Sequence, residues 1–269
     1  MSTRLTYIII HCQHRSGSTA LLNTLGDVPG VYAIPEELNL VEPIFVRNTL
    51  RRYARNQWNE PTRIYGSIWT ATGEFYHKTR SLINECREFA SYDLGEFSKV
   101  VIDHVFATFT EGRVEEENIT SVACKYVVHV GASSNLIQSF PSAFHIILVR
   151  DLGAIYSSKI NDPQMRSLKR LSLTRYYIKR IAILVFFSLD YRRVKKLATS
   201  ATLRPRCYVV RYATMQDDIE KFAKDAGLDF GSLEGIAKGK PSSMFANSSK
   251  PTWIEIVLLR LLGGRSYLG

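Results

Sequence analysis

Apolar and polar positions follow two rhythms along this chain. Five short β-rich apolar runs read as strands: Leu5 to His11, Gly30 to Ile34, Ser121 to Val127, Phe144 to Val149, and Cys207 to Arg211. Between them lie segments with helical spacing, and this alternation predicts an α/β fold, a three-layer α/β/α arrangement around a central parallel sheet. The helix after the last strand is the best defined. Thr214 or Asp217 can cap it, Ile219, Phe222, Ala223 and Ala226 form its apolar stripe, and Gly227 can end it. Residues 40 to 118 resist division, with helical patches, many aromatics and an acidic stretch at Glu115 to Glu117. Specificity-determining elements are expected there, because insertions often carry specificity.

Composition narrows the class. With 269 residues and 45% apolar content, a single domain spanning 1–269 is expected. Cys12, Cys86, Cys124 and Cys207 are widely separated with no CxxC or Cys/His pairing, which argues against a zinc site or a disulfide framework and for a reducing, cytoplasmic compartment. Tyr7 to Ile10 is too short for a signal peptide's apolar core. Ile181 to Leu189 falls short of a membrane span, and the WIEIVLLRLL segment is interrupted by Glu255 and Arg260.

The formal charge of +10 is concentrated between Arg166 and Lys196, where ten Lys or Arg residues (166, 169, 170, 175, 179, 180, 192, 193, 195, 196) meet one acid, Asp190. Two readings stand: the solvated face of a long helix, or a stripe for an anionic partner such as a polyanionic glycan, a nucleic acid or a membrane surface.

Candidate chemistry begins where the first strand ends. The run YIIIHCQHRSGSTALLNTL, Tyr7 to Leu25, passes from strand through a glycine- and hydroxyl-rich turn into a helix. Gly17 lets backbone approach an anion closely, and the amides of Ser16, Gly17, Ser18 and Thr19 would lie at a helix N-terminus. Arg15 adds charge, and the three hydroxyls add donors. The GxxxxGK[ST] spacing of a triphosphate loop is missing, so a phosphate is expected without the β,γ-phosphates of ATP and magnesium. Such a turn could also be only the first unit of an α/β domain.

A second constellation lies in FHIILVRDLGAIYSSKI, residues 144 to 160, where a strand ends at Arg150 and Ser158 follows two helical turns on. Both this strand end and the Arg15 loop fall at the carboxyl edge of the predicted sheet, where ligands bind. An arginine fork and a serine hydroxyl suit a second anion, although Arg-Asp at a strand end is often an ion pair.

Together these segments resemble the sulfotransferase family, of the glycan- and tyrosyl-protein-like type, with its P-loop NTPase-like fold. Its PRSGTT-type loop stands here as HRSGST, residues 14 to 19, and its strand-Arg-(x7)-Ser element as Arg150 to Ser158. The resemblance implies 3′-phosphoadenosine 5′-phosphosulfate as sulfuryl donor and no metal. Arg15, Ser16, Gly17, Ser18 and Thr19 would surround its 5′ end, with Arg150 and Ser158 at the 3′-phosphate. GVYAIPEELNLVEP resembles the stretch holding a glutamate base, with Glu36 matching best and Glu37 next. SVACKYVV places Lys125 like the lysine that steadies the sulfuryl group, and YVVRYATMQDD places Tyr212 near the adenine. KPSSMFANSSKPTW resembles a segment closing over the donor, with Ser243 and Lys250 as phosphate contacts.

The chain also departs from that pattern. His14 replaces a proline before Arg15, Leu152 replaces the proline after Arg-Asp, and Ala213 replaces the acid after Tyr212. No Lys-Thr-His occurs at Lys125, which disfavours the small-phenol type with a histidine base, and His129 ranks below Glu36.

What the resemblance implies is sulfuryl transfer to an acceptor hydroxyl, a carbohydrate first, with tyrosine and small alcohols open and no nucleic acid partner. Glu36 would be the base, and Arg15 and Lys125 would stabilise the sulfuryl oxygens and the leaving phosphate. Structural alternatives stand beside each role: solvated acids after Pro35, an edge-strand lysine, and core packing for Tyr212. Two other functions share the architecture, a P-loop small-molecule kinase and a non-catalytic anion- or glycan-binding protein.

Overall fold

A computed structural model of the chain describes residues 5–37, 118–127, 132–228 and 251–263. The strands are β1 (Thr6–Cys12), β2 (Val31–Glu37), β3 (Ser121–Val127), β4 (Phe144–Val149) and β5 (Cys207–Arg211). They form one parallel sheet in the order β2-β3-β1-β4-β5, flanked by helices. β1 is central, with β3 and β2 to one side of it and β4 and β5 to the other. The turn after β1 therefore opens where the strand order reverses, the place at which parallel sheets bind ligands.

The helices are α1 (Ser18–Gly26), α2 (Ala132–Ser139), α3 (Leu152–Ile160), α4 (Pro163–Leu171), α5 (Leu173–Ala201), α6 (Met215–Ala226) and α7 (Trp253–Gly263). Backbone contacts cluster in two compact units, Met1–His11 with Leu22–Ile146, and Cys12–Leu21 with Ile147–Gly269.

In the first unit all seven residues of β3 are buried, as a strand flanked by neighbours on both sides and covered on both faces requires. The ladder pairs Val31 with Ser121 and Ala33 with Ala123, then shifts register so that Glu37 stands opposite Lys125. β2 thus runs three residues beyond the apolar signal that stopped at Ile34, and Glu36 and Glu37 lie in a strand.

Two buried histidines that the sequence did not single out meet in this unit. His11 Nε2 lies 3.0 Å from His145 Nδ1, while His145 Nε2 lies 2.9 Å from the Phe140 carbonyl oxygen. The carbonyl can only accept, so His145 donates from Nε2, accepts at Nδ1 from His11, and leaves His11 Nδ1 a lone pair with no partner. Burial first, and the neighbouring His145 second, hold His11 well below the usual histidine range.

The second unit is built on α5, whose Tyr176, Ile183, Leu184, Phe187 and Tyr191 pack with Leu152, Ile155, Tyr156, Met165 and Leu259. The basic stripe is divided. Ser172 caps α5 by accepting from the Arg175 amide, so the stripe covers two helices. Nor is it all solvated, because Arg180 is buried against Glu255, its Nε donating to Oε1 at 2.6 Å and its Nη2 to Oε2. The Tyr156 hydroxyl also donates to Glu255 Oε1, and Arg180 Nη1 donates to the Tyr176 hydroxyl at 3.0 Å. Thr252 N donates to Oε2 at 2.6 Å and the Glu255 amide donates back to Thr252 Oγ1 at 3.4 Å, the reciprocal cap expected of a TxxE start to α7. Burial alone would raise the Glu255 carboxyl; hydrogen bonds from Arg180, Tyr156 and Thr252 outweigh it and hold it below the ordinary carboxylate range. Among the described residues no helix is long and apolar enough to cross a membrane.

Candidate active site

The first turn of a helix leaves backbone N–H groups without intrahelical partners, and the loop before α1 turns through two residues with left-handed backbone while the Ser16 amide donates to the Gln13 carbonyl at 3.2 Å. Arg15 takes a left-handed backbone with φ 63°, and Gly17 has φ 95°. A non-glycine residue at positive φ is uncommon and concentrates at functional sites. Gly17 is also required by its neighbour: a Cβ there would lie 2.4 Å from Cε2 of Tyr212. Tyr212 follows β5 directly, in the short 3-10 turn Tyr212–Thr214, and its ring closes one side of the loop.

That ring carries Arg150. The guanidinium carbon sits 4.2 Å from the ring centroid, and Nη1 donates to the Arg15 carbonyl at 2.8 Å. The arginine at the end of β4 therefore holds the loop by its backbone while stacking on the aromatic face. Asp151 serves separately, capping α3 by accepting from the Ala154 amide at 2.9 Å. Gln13 anchors the other flank, its amide donating 2.8 Å to the Phe187 carbonyl. No local pattern signals that tie, since Phe187 is 174 positions away.

Within this network two buried polar atoms have no protein partner: Ser16 Oγ and Arg150 Nε. Unsatisfied buried polar atoms are costly, and a pair of them beside a helix N-terminus and a guanidinium is an arrangement that an anion would satisfy. The residues fit a phosphate or sulfate ester: two hydrogen-bonding groups, helix-end amides and arginine charge. Arg15 is half-exposed and paired with the Asp162 carboxylate, which Lys159 also approaches at 3.3 Å. An incoming anion would share Arg15 with Asp162.

The other sequence candidates divide as follows. Ser16, Gly17, Arg150 and Tyr212 belong to the loop or the strand ends around it, Ser18 and Thr19 open α1, and Ser158 lies in the second turn of α3. In the first unit, Lys125 is buried in β3, so it is no edge-strand lysine. Glu37 is its ladder partner, and Glu36 falls in the stretch where the register shifts. Ser243, Lys250, His129 and most of residues 40 to 118 lie outside the described residues. Among those described, no group of three His, Cys, Asp or Glu is placed to hold a metal ion.

A parallel sheet whose central strand passes through a glycine turn into a helix at the order reversal defines the α/β class. The sequence profile of the sulfotransferase family matches residues 8–226, from β1 through α6, and the chain belongs to that family. Among solved structures it is similar to the sulfotransferase domain of the olefin synthase from Synechococcus PCC 7002. The two share 16% identity and a TM-score of 0.41, with 99% of this chain and 90% of that chain covered. No curated protein sequence matches the chain.

Proposed function

We propose that this chain is an enzyme that transfers a sulfuryl group from 3′-phosphoadenosine 5′-phosphosulfate to an acceptor hydroxyl, a carbohydrate in the first instance. The observation carrying this reading is the pair of unpartnered buried atoms, Ser16 Oγ and Arg150 Nε, in a loop of the sulfotransferase family. When bound, the donor would supply an activated sulfuryl group on a good leaving phosphate.

The chain's own residues then have distinct tasks. Ser16, the amides of Gly17, Ser18 and Thr19, and Arg15 would hold the 5′ end, while Arg150 and Ser158 would hold the 3′-phosphate. Tyr212 keeps Arg150 flat and Gly17 free of a side chain. Arg15 and the buried Lys125 would hold positive charge where negative charge grows on the leaving oxygen, and a low-dielectric setting strengthens that effect. Glu36 would accept the acceptor's proton, with Glu37, the ladder partner of Lys125, as the comparison. Ser243 and Lys250 complete the proposed contacts.

Labelled sulfate transfer from the donor to a panel of glycans, peptides and phenols tests the reading. Activity should persist in the presence of a metal chelator and fall by about 10²–10⁴ in Glu36→Gln. If Glu37→Gln loses that activity and Glu36→Gln keeps it, the base is Glu37. Stabilisation by ATP with magnesium but not by adenosine 3′,5′-bisphosphate would favour a kinase instead.

A further inference from the structure

α5 is apolar on both sides. One side, with Tyr176, Ile183, Leu184, Phe187 and Tyr191, is buried in the core of the second unit. At 100° per residue, Ile178, Ile181, Val185, Phe186 and Leu189 fall on the opposite side, and all five are exposed, Ile178 by 64% and Phe186 by 66%. A surface helix ordinarily turns charged residues outward at such positions, and an outward apolar patch marks an interaction site. This one spans 12 residues, Ile178 to Leu189, about 17 Å of helix.

Its borders are cationic. Arg175 and Lys179 stand at the N-terminal end, and Arg192, Arg193 and Lys196 at the C-terminal end, on the same side of the helix. The one acid of this helix, Asp190, accepts from Arg193 at 3.1 Å. Just before α5, the α4–α5 junction exposes Leu171 by 83% and Leu173 by 59%, beside Lys169 and Arg170.

We propose that this outer face of α5 docks on an anionic lipid bilayer, lying in the plane of the interface. The pattern combines the two terms that interfacial binding needs: apolar side chains that enter the acyl boundary, and long basic side chains that reach lipid phosphates on either flank. Charge complementarity selects this occupant. A second copy of the chain would set cations against cations, and a polyanionic glycan or a nucleic acid would leave Ile178, Val185 and Phe186 against polar groups or water. The proposal is independent of the sulfuryl-transfer reading, because none of these residues belongs to the loop site.

Co-sedimentation of the full chain with vesicles of phosphatidylcholine, with and without phosphatidylserine, tests it. The chain should partition onto the anionic vesicles at least about tenfold better than onto neutral ones, and high salt should weaken that binding. Ile178→Ser/Phe186→Ser should reduce it at least about tenfold while the melting temperature holds, since both side chains are exposed. Arg192→Glu/Lys196→Glu should do the same. Absence of binding to anionic vesicles would overturn the proposal, as would binding untouched by the serine pair. So would a dimer in solution, measured by sedimentation equilibrium, that the serine pair dissociates.

Discussion

Of the arginines in the second unit that face carboxylates, Arg180 and Arg15 have opposite surroundings. Arg180 and Glu255 have side chains only 3% and 4% exposed, and every oxygen of Glu255 accepts from named donors. Arg15 is 43% exposed against Asp162, in a loop where Ser16 Oγ and Arg150 Nε find no partner. A closed network holds helices together and has no hydrogen-bonding capacity left for a ligand. An open one keeps donors available for an anion. Counting charges would not separate these two pairs; counting what is left unsatisfied does.

Opening the closed network should cost the most stability. Glu255→Ala leaves Arg180 buried without a counter-charge and removes the α7 cap, and should cost about 3–5 kcal/mol in urea unfolding. Replacing both partners by apolar residues, Arg180→Met with Glu255→Leu, should recover most of that loss, because a buried pair contributes little net stability. A full loss in the double variant would mean that the pair does more than satisfy itself.

On the open side, Gly17→Ala sets a methyl against Tyr212 and strains a backbone at φ 95°. It should destabilise by about 2 kcal/mol. Adding Tyr212→Ala should recover the steric part and leave the backbone part, a coupling that thermal melts of the four proteins in the cycle would measure.

A smaller effect tests the histidine pair of the first unit, which is another buried group with an unsatisfied atom. His11 is held neutral in the folded state, while the unfolded chain takes up a proton near the ordinary value of 6.5. The unfolded state therefore binds more protons as pH falls below that value. Stability is full above about pH 6.5 and declines below it, with a slope of at most about 1.4 kcal/mol per pH unit from this group. His11→Gln should flatten the decline in melting temperature between neutral and mildly acid pH.

Much of this was legible because it is local. β3, β4 and β5 begin and end where their apolar runs do, and α6 runs to Gly227 in a left-handed C-cap, as glycine at that position implies. β2 outran its signal because Pro35, Glu36 and Glu37 end the apolar run while the ladder to β3 continues through a register shift. The stripe read as one helix is two, because a single serine, Ser172, supplies a cap that charge patterning does not register. What stayed invisible was pairing at a distance. Arg180 looked like one more cation of the stripe and Glu255 like an interruption of an apolar segment, and only the fold brings them together across 75 positions. The loop itself was readable from HRSGST, yet the reason for Gly17 was not: it lies in a ring nearly two hundred positions away.

If the loop after β1 is an anion cradle, Arg150 completes it. Calorimetric titration of adenosine 3′,5′-bisphosphate, without metal, into the wild-type chain and Arg150→Ala tests it most directly. The wild type should bind, and the variant about 10–100-fold more weakly, through the loss of a charge-assisted hydrogen bond and its stacked charge. Equal affinity in both, or no binding to the wild type, would contradict it.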